Sequence, residues 1–151
     1  HLSIRRQRQM CIRDSYRPDA SADAVLIDAP CSATGTLRRR PDVPGHRTPA
    51  DIDRLAKTQG ELLAAAAAWL VPGGCLIYAT CSLQHAEGEA IIDAFLRQPD
   101  CPVTIDPVSP EEAGCFTPAL TDIGTLRIVP ADFASLGGVD GFYIARLRSS
   151  L

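Results

Sequence analysis

Apolar side chains along the chain fall into two alternating kinds of run. Ala24-Val25-Leu26-Ile27-Asp28 is short, apolar and β-branched, closing on an acid and Pro30, which predicts a buried parallel strand whose carboxyl end opens into a loop. Cys75-Leu76-Ile77-Tyr78-Ala79-Thr80 has the same character. Between them, Thr48-Pro49-Ala50-Asp51 supplies a hydroxyl cap, a first-turn proline and an acid three residues on. Ile52, Leu55, Gln59, Leu62, Leu63, Ala66 and Leu70 then recur at helical spacing until Pro72-Gly73-Gly74 stops the helix. A second helix is predicted from about Ala86 to Leu96, with Ile91, Ile92, Phe95 and Leu96 inward. Gly124 to Pro130 reads as a strand or extended segment, Gly141 to Leu147 as a final strand, and Leu136 to Gly141 as a glycine turn between them. Ala29 to Pro49 is a long loop, of the kind that is usually functional, and Pro99 to Thr121 is irregular.

Strand, loop and helix thus alternate twice, the pattern of an α/β fold on a parallel sheet, where sites form at the carboxyl ends of strands. Asp28, Cys31 and Cys81 all fall at such ends. Cys81 also precedes a predicted helix N-terminus, whose partial positive charge favours thiolate over thiol. On position alone, two buried cysteines and a turn-forming aspartate fit the same facts equally well.

Composition bounds the reading. With 151 residues, 46% hydrophobic and 22% charged, the chain suits one folded domain and is not disordered throughout. The longest apolar-rich stretch, Leu62 to Val71, is about half the ~20 residues a spanning helix needs, so a cytoplasmic location is expected. Charge is uneven: residues 1–17 hold five arginines against Asp14, and the remainder holds 10 basic and 17 acidic side chains. An acidic body binds nucleic acid only through a local basic patch. Arg38, Arg39, Arg40 and Arg47, in the long loop, could supply one. Six cysteines without a Cys-x-x-Cys, a secretory signal or a suitably spaced His pair argue against a disulfide framework and against a metal site.

The strand ends carry more specific patterns. Asp28-Ala29-Pro30-Cys31-Ser32-Ala33-Thr34-Gly35, followed some fifty residues later by Tyr78-Ala79-Thr80-Cys81-Ser82-Leu83, closely resembles the paired motifs of the Sun/Nop family of RNA cytosine-5 methyltransferases, the bacterial 16S ribosomal RNA enzymes above all. The resemblance runs on through Arg38-Arg39-Arg40-Pro41-Asp42, Gln59, Val71-Pro72-Gly73-Gly74, Arg127 and Asp140-Gly141-Phe142-Tyr143, covering roughly residues 23–147. It implies a Rossmann-like class I methyltransferase fold, S-adenosylmethionine as cofactor and RNA as partner. It further implies Cys81 as the nucleophile, Cys31 as the residue assisting release of the product, Asp28 on the base, and Asp28 and Pro30 beside the methyl donor. The dipeptide Pro30-Cys31 alone would suggest the reverse, because the DNA cytosine-5 methyltransferases attack with a Pro-Cys thiol.

A donor site in this fold class needs a glycine-rich loop after the first strand, and no such loop stands before Asp28. Residues 1–17, part of which resembles translated adapter sequence, read as a non-native or disordered leader, and 18–151 as a partial catalytic domain holding the C-terminal half of the sheet. Such a chain is expected to be inactive alone. Two other classes stay open: an RNA-binding module without catalysis, and a redox protein using Cys31 and Cys81.

Overall fold

The computed structural model describes residues 21–150, so the leader expected at residues 1–17 lies outside the described residues. Strands β1 (Ala22–Asp28) and β2 (Leu70–Thr80) are parallel neighbours joined by a crossover through helix α1 (Pro49–Ala67). Helix α2 (Glu89–Leu96) follows β2. Then come β3 (Val103–Ile105), the short α3 (Pro110–Ala113), β4 (Leu126–Ile128) and β5 (Phe142–Ser149). The sheet order is β1-β2-β5-β3, with β4 also on β5.

The parallel sheet expected from the alternating units holds for β1 and β2 and reverses at β5, which is antiparallel to β2, β3 and β4. A parallel return would need a crossover helix. Instead β5 is reached from β4 through 3-10 turns over Pro130–Leu136 and two left-handed glycines, Gly137 and Gly138, which turn the chain straight back. The short β3 and β4 share one edge of β5, β3 at its Leu147–Ser149 end and β4 at its Phe142–Ile144 end.

Helix α1 begins as its sequence predicts: the Asp51 N–H donates to Thr48 Oγ1 and the Thr48 N–H to Asp51 Oδ2, a reciprocal cap. It ends at Ala67, short of the expected stop at Pro72. Leu70, which continued the helical spacing, is a strand residue paired with Ala22, and Pro72-Gly73-Gly74 forms an irregularity inside β2. Tertiary pairing with β1 thus overrides the apolar period. The irregular stretch after Pro99 also contains more structure than its prolines suggest, namely β3, α3 and a 3-10 segment over Gly114–Ala119.

Both longer helices bury their apolar stripes against one face of the sheet. Leu63 and Ala66 of α1 and Ile92 and Phe95 of α2 pack on Leu76, Tyr78, Tyr143, Ala145 and Leu147. The alanine-rich end of α1 lets helix and sheet approach closely. A smaller apolar cluster of Ala119, Ile128 and Phe133 lies beside Phe142 and Ile144, whose side chains alternate with those of Tyr143 and Ala145. β1 departs from the buried strand expected: Ile27 is buried, but Leu26 is 69% exposed, because nothing among the described residues covers that face of the strand. Among the described residues no helix is long and apolar enough to cross a membrane.

Candidate active site

Parallel pairing of β1 with β2 brings their carboxyl ends side by side, Asp28 opposite Ala79. The loop after β1 and the loop after β2 therefore leave the sheet together. Their joint is backbone: the Gly35 N–H donates to the Cys81 carbonyl at 2.9 Å, and the Gly141 N–H donates to the Gly35 carbonyl at 2.8 Å. Three motifs far apart in sequence thus meet at one glycine. Ala33 holds a left-handed conformation, φ 59°, which a non-glycine residue adopts at a cost and which turns the first loop back toward the second.

In this frame the two sulfurs of Cys31 and Cys81 lie 3.4 Å apart. The pair shares one hydrogen bond. The Cys31 thiol is pushed far above the ordinary range, chiefly by its hydrogen bond with Cys81 and by burial. The Cys81 thiol is drawn down to about 7 by that same bond, against burial and the charges of Asp28 and Asp140. Of the pair, Cys81 is the sulfur that ionises more readily and Cys31 the one that holds its proton more tightly. The acidity of Cys81 has a different origin from the helix N-terminus expected: α2 starts only at Glu89, after a 3-10 turn, and the neighbouring thiol acts instead.

Asp28 is exposed at the end of β1, and its carboxylate has no hydrogen-bond partner among the described residues. Pro30 offers its carbonyl to Gln59 Nε2 at 2.8 Å, which ties the first loop to α1. The four arginines of the long loop are all exposed but not equally committed. Arg39 pairs with Asp140, Nε to Oδ2 at 2.8 Å, and holds that carboxyl below its ordinary range. Arg40 pairs with Asp42, and Arg47 Nε donates to the Ser32 carbonyl at 3.3 Å. Arg38 has no ion pair among the described residues.

Sequence reasoning left Arg127 without a role. Its guanidinium donates to the Ser82 carbonyl at 2.9 Å, pairs with Glu89 and lies 4.8 Å over the Tyr143 ring, so it braces the loop that carries Cys81. Reasoning from sequence missed Glu87 altogether. Its fully buried carboxylate accepts from Ser32 and Ser82, and in sequence it looks like any acid at the start of a helix. Among the described residues no cluster of His, Cys, Asp or Glu is arranged to hold a metal ion.

Strand order and strand-end site define an α/β unit of the Rossmann-like methyltransferase fold. Within that class, the chain belongs to the 16S rRNA methyltransferase RsmB/F family, whose model matches residues 4–148. It is 38% identical over 128 residues to ribosomal RNA small subunit methyltransferase F of Serratia proteamaculans, a match covering 85% of this chain and 26% of the relative. Among solved structures it resembles NSun6 from Pyrococcus horikoshii with SFG, at a TM-score of 0.67 and 28% identity over 89% of this chain and 32% of that one. It also resembles a methyltransferase homolog protein from Pyrococcus horikoshii, at a TM-score of 0.62 and 29% identity over 87% of this chain and 40% of that one. The chain thus spans between a quarter and two fifths of the length of these relatives.

Proposed function

We propose that this chain carries the thiol chemistry of an enzyme that methylates carbon 5 of cytosine in RNA, ribosomal RNA by the names of its relatives, with S-adenosylmethionine as donor. The observation that carries the reading is the approach of the Cys31 and Cys81 sulfurs to 3.4 Å at the carboxyl ends of β1 and β2, which pushes the Cys31 thiol up and draws the Cys81 thiol down. Carbon 5 of cytosine is a poor nucleophile. When the Cys81 thiolate adds to carbon 6, a sulfur–carbon bond forms and the ring's π electrons are pushed toward carbon 5. Asp28 hydrogen-bonds the base near ring nitrogen 3 and stabilises the charge that develops there. The donor, when bound, supplies the methyl group for carbon 5. Transfer of the carbon 5 proton to solvent water then returns its electron pair to the ring, which re-forms the carbon 5–carbon 6 double bond and breaks the bond to Cys81, which leaves as thiolate; Cys31 assists this elimination. Arg38, Arg39, Arg40 and Arg47 hold phosphates of the RNA beside the site.

Asp28 and Pro30 suit one wall of the donor site, because Asp28 presents an unpartnered carboxylate at a strand's carboxyl end, where open sheets bind their ligands. The glycine-rich loop of a complete site is not found among the 151 residues, so this chain by itself is inactive and binds S-adenosylmethionine weakly, with Kd on the order of 1 mM or worse. Calorimetry giving micromolar binding would overturn that part of the reading. The function itself is tested with the whole protein that contains this chain, incubated with 16S ribosomal RNA and labelled donor. Nucleoside mass spectrometry should find the label in 5-methylcytidine; label on another atom, or none in RNA, sinks the proposal.

A further inference from the structure

Glu87 has no part in the scheme above, yet its side chain is completely buried and its carboxylate accepts four hydrogen bonds. Oε1 takes the Ser32 backbone N–H at 2.8 Å and Gln59 Nε2 at 3.3 Å. Oε2 takes the hydroxyls of Ser32 at 2.5 Å and Ser82 at 2.6 Å. No arginine or lysine among the described residues pairs with it. Burying a carboxylate without a counter-charge is costly, and a well-packed apolar side chain would serve the fold as well or better. What an apolar residue could not do is join two loops. Ser32 follows Cys31 and Ser82 follows Cys81, so a single carboxylate holds the immediate neighbours of both sulfurs. The surrounding contacts aim the clamp: Gln59 ties it to the Pro30 carbonyl, Thr34 Oγ1 receives the Leu83 N–H, and the Tyr78 hydroxyl donates to the Glu87 carbonyl.

We propose that Glu87 is a positioning residue that draws Ser32 and Ser82 onto one carboxylate and thereby fixes the approach of the Cys31 and Cys81 sulfurs. What the thiols are for rests on the function proposed above; that Glu87 sets their spacing does not. The charged groups facing Cys81 are Asp28 from the end of β1, Asp140 from the approach to β5, and Arg39, which pairs with Asp140 and also interacts with Cys81. Both carboxylates oppose its ionisation, and the Cys31 S–H outweighs them. Relaxing the clamp removes that bond, the largest influence drawing Cys81 down, and leaves burial and the two acids to push it back up against Arg39.

Glu87→Gln, in the full chain, is tested by iodoacetamide alkylation followed cysteine by cysteine with peptide mass spectrometry across pH. In the unaltered chain Cys81 is expected to reach half-reactivity near pH 7. In Glu87→Gln the half-point rises by about one to two units toward an ordinary thiol. Alkylation at pH 7 falls roughly two- to eightfold, since higher intrinsic nucleophilicity offsets part of the lost thiolate. Cys75 and Cys101, away from the clamp, keep their rates. The sign discriminates between mechanisms: a carboxylate acting through its charge alone would give a lower half-point on removal. A half-point that stays near 7 or falls, or Cys75 and Cys101 opening together with Cys81, overturns the proposal. If Glu87→Gln does not fold, the double variant Ser32→Ala/Ser82→Ala leaves the carboxylate its bonds to Gln59 and the residue 32 N–H. It must show the same rise, and an unchanged half-point there is equally decisive against the clamp. Neither RNA nor donor enters the experiment, so its failure is distinct from failure of the methylation assay.

Discussion

Cys81→Ala, in the whole protein, is expected to form no covalent complex with an RNA carrying 5-fluorocytosine at the target position, while Cys31→Ala still forms that complex, more slowly because the Cys31 S–H no longer draws Cys81 down. Fluorine at carbon 5 cannot leave as the proton does, so the adduct is held once the methyl group has been transferred. On ordinary RNA the two variants separate again: Cys31→Ala accumulates an adduct that the unaltered enzyme releases, and Cys81→Ala shows none. Turnover falls on the order of 10³-fold or more with loss of the nucleophile. The reasoning is electrostatic. Of two sulfurs 3.4 Å apart, the one poised near neutrality is Cys81, and the one held protonated is Cys31. Denaturing gel electrophoresis of the trapped complexes reads the result. An adduct with Cys81→Ala and none with Cys31→Ala would reverse the assignment and place the attack on the Pro-Cys thiol.

The second large effect is on stability. Gly35→Ala is expected to cost about 3 kcal/mol or more, at or beyond the upper end of what overpacking usually costs. A Cβ at position 35 would sit 2.0 Å from the Gly141 carbonyl oxygen and 2.8 Å from that of Cys81, and both are backbone atoms that no side-chain rotation can clear. The variant must either spread the joint between the two loops or fail to close it. Gly60→Ala is the control: its Cβ meets nothing within 4 Å in the interior of α1, where alanine is the better helix former, so stability rises by roughly 0.5–1 kcal/mol. Urea unfolding of both variants decides the matter, and a Gly35→Ala midpoint equal to that of the unaltered chain would show that the joint is looser than its distances say.

Much of this was legible in the sequence, for identifiable reasons. Strand-end placement alone brought Asp28, Cys31 and Cys81 to one end of the sheet, because in an α/β unit that rule depends only on local order of strand, loop and helix. The cap of α1 was equally local. What escaped depends on partners distant in the chain. Leu70 keeps a helical period yet belongs to β2, since Ala22 pairs with it. β5 reverses because of how the chain returns through Gly137 and Gly138. Leu26 looks like core in a β-branched run but lies on a face that the described residues leave open. Glu87 shows the limit most clearly: between His85 and Glu89 it has the composition of a solvated turn, and only the folding of the Ser32 loop onto it makes it an interior acid.

The contacts that make the site also set when it comes into being. Cys31 and Cys81 are 50 positions apart, Ser32 and Glu87 55, Arg39 and Asp140 101. Contacts between residues this far apart depend on the topology of the whole unit and form more slowly than local ones. The Gly35 carbonyl meets Gly141 only once the segment leading into β5 is laid down. Before those contacts form, the chain carries two ordinary thiols, little ionised at neutral pH and slow to react. The nucleophile is thus a property of the assembled loops and of no local segment, so the fold withholds reactivity until there is a site to confine it.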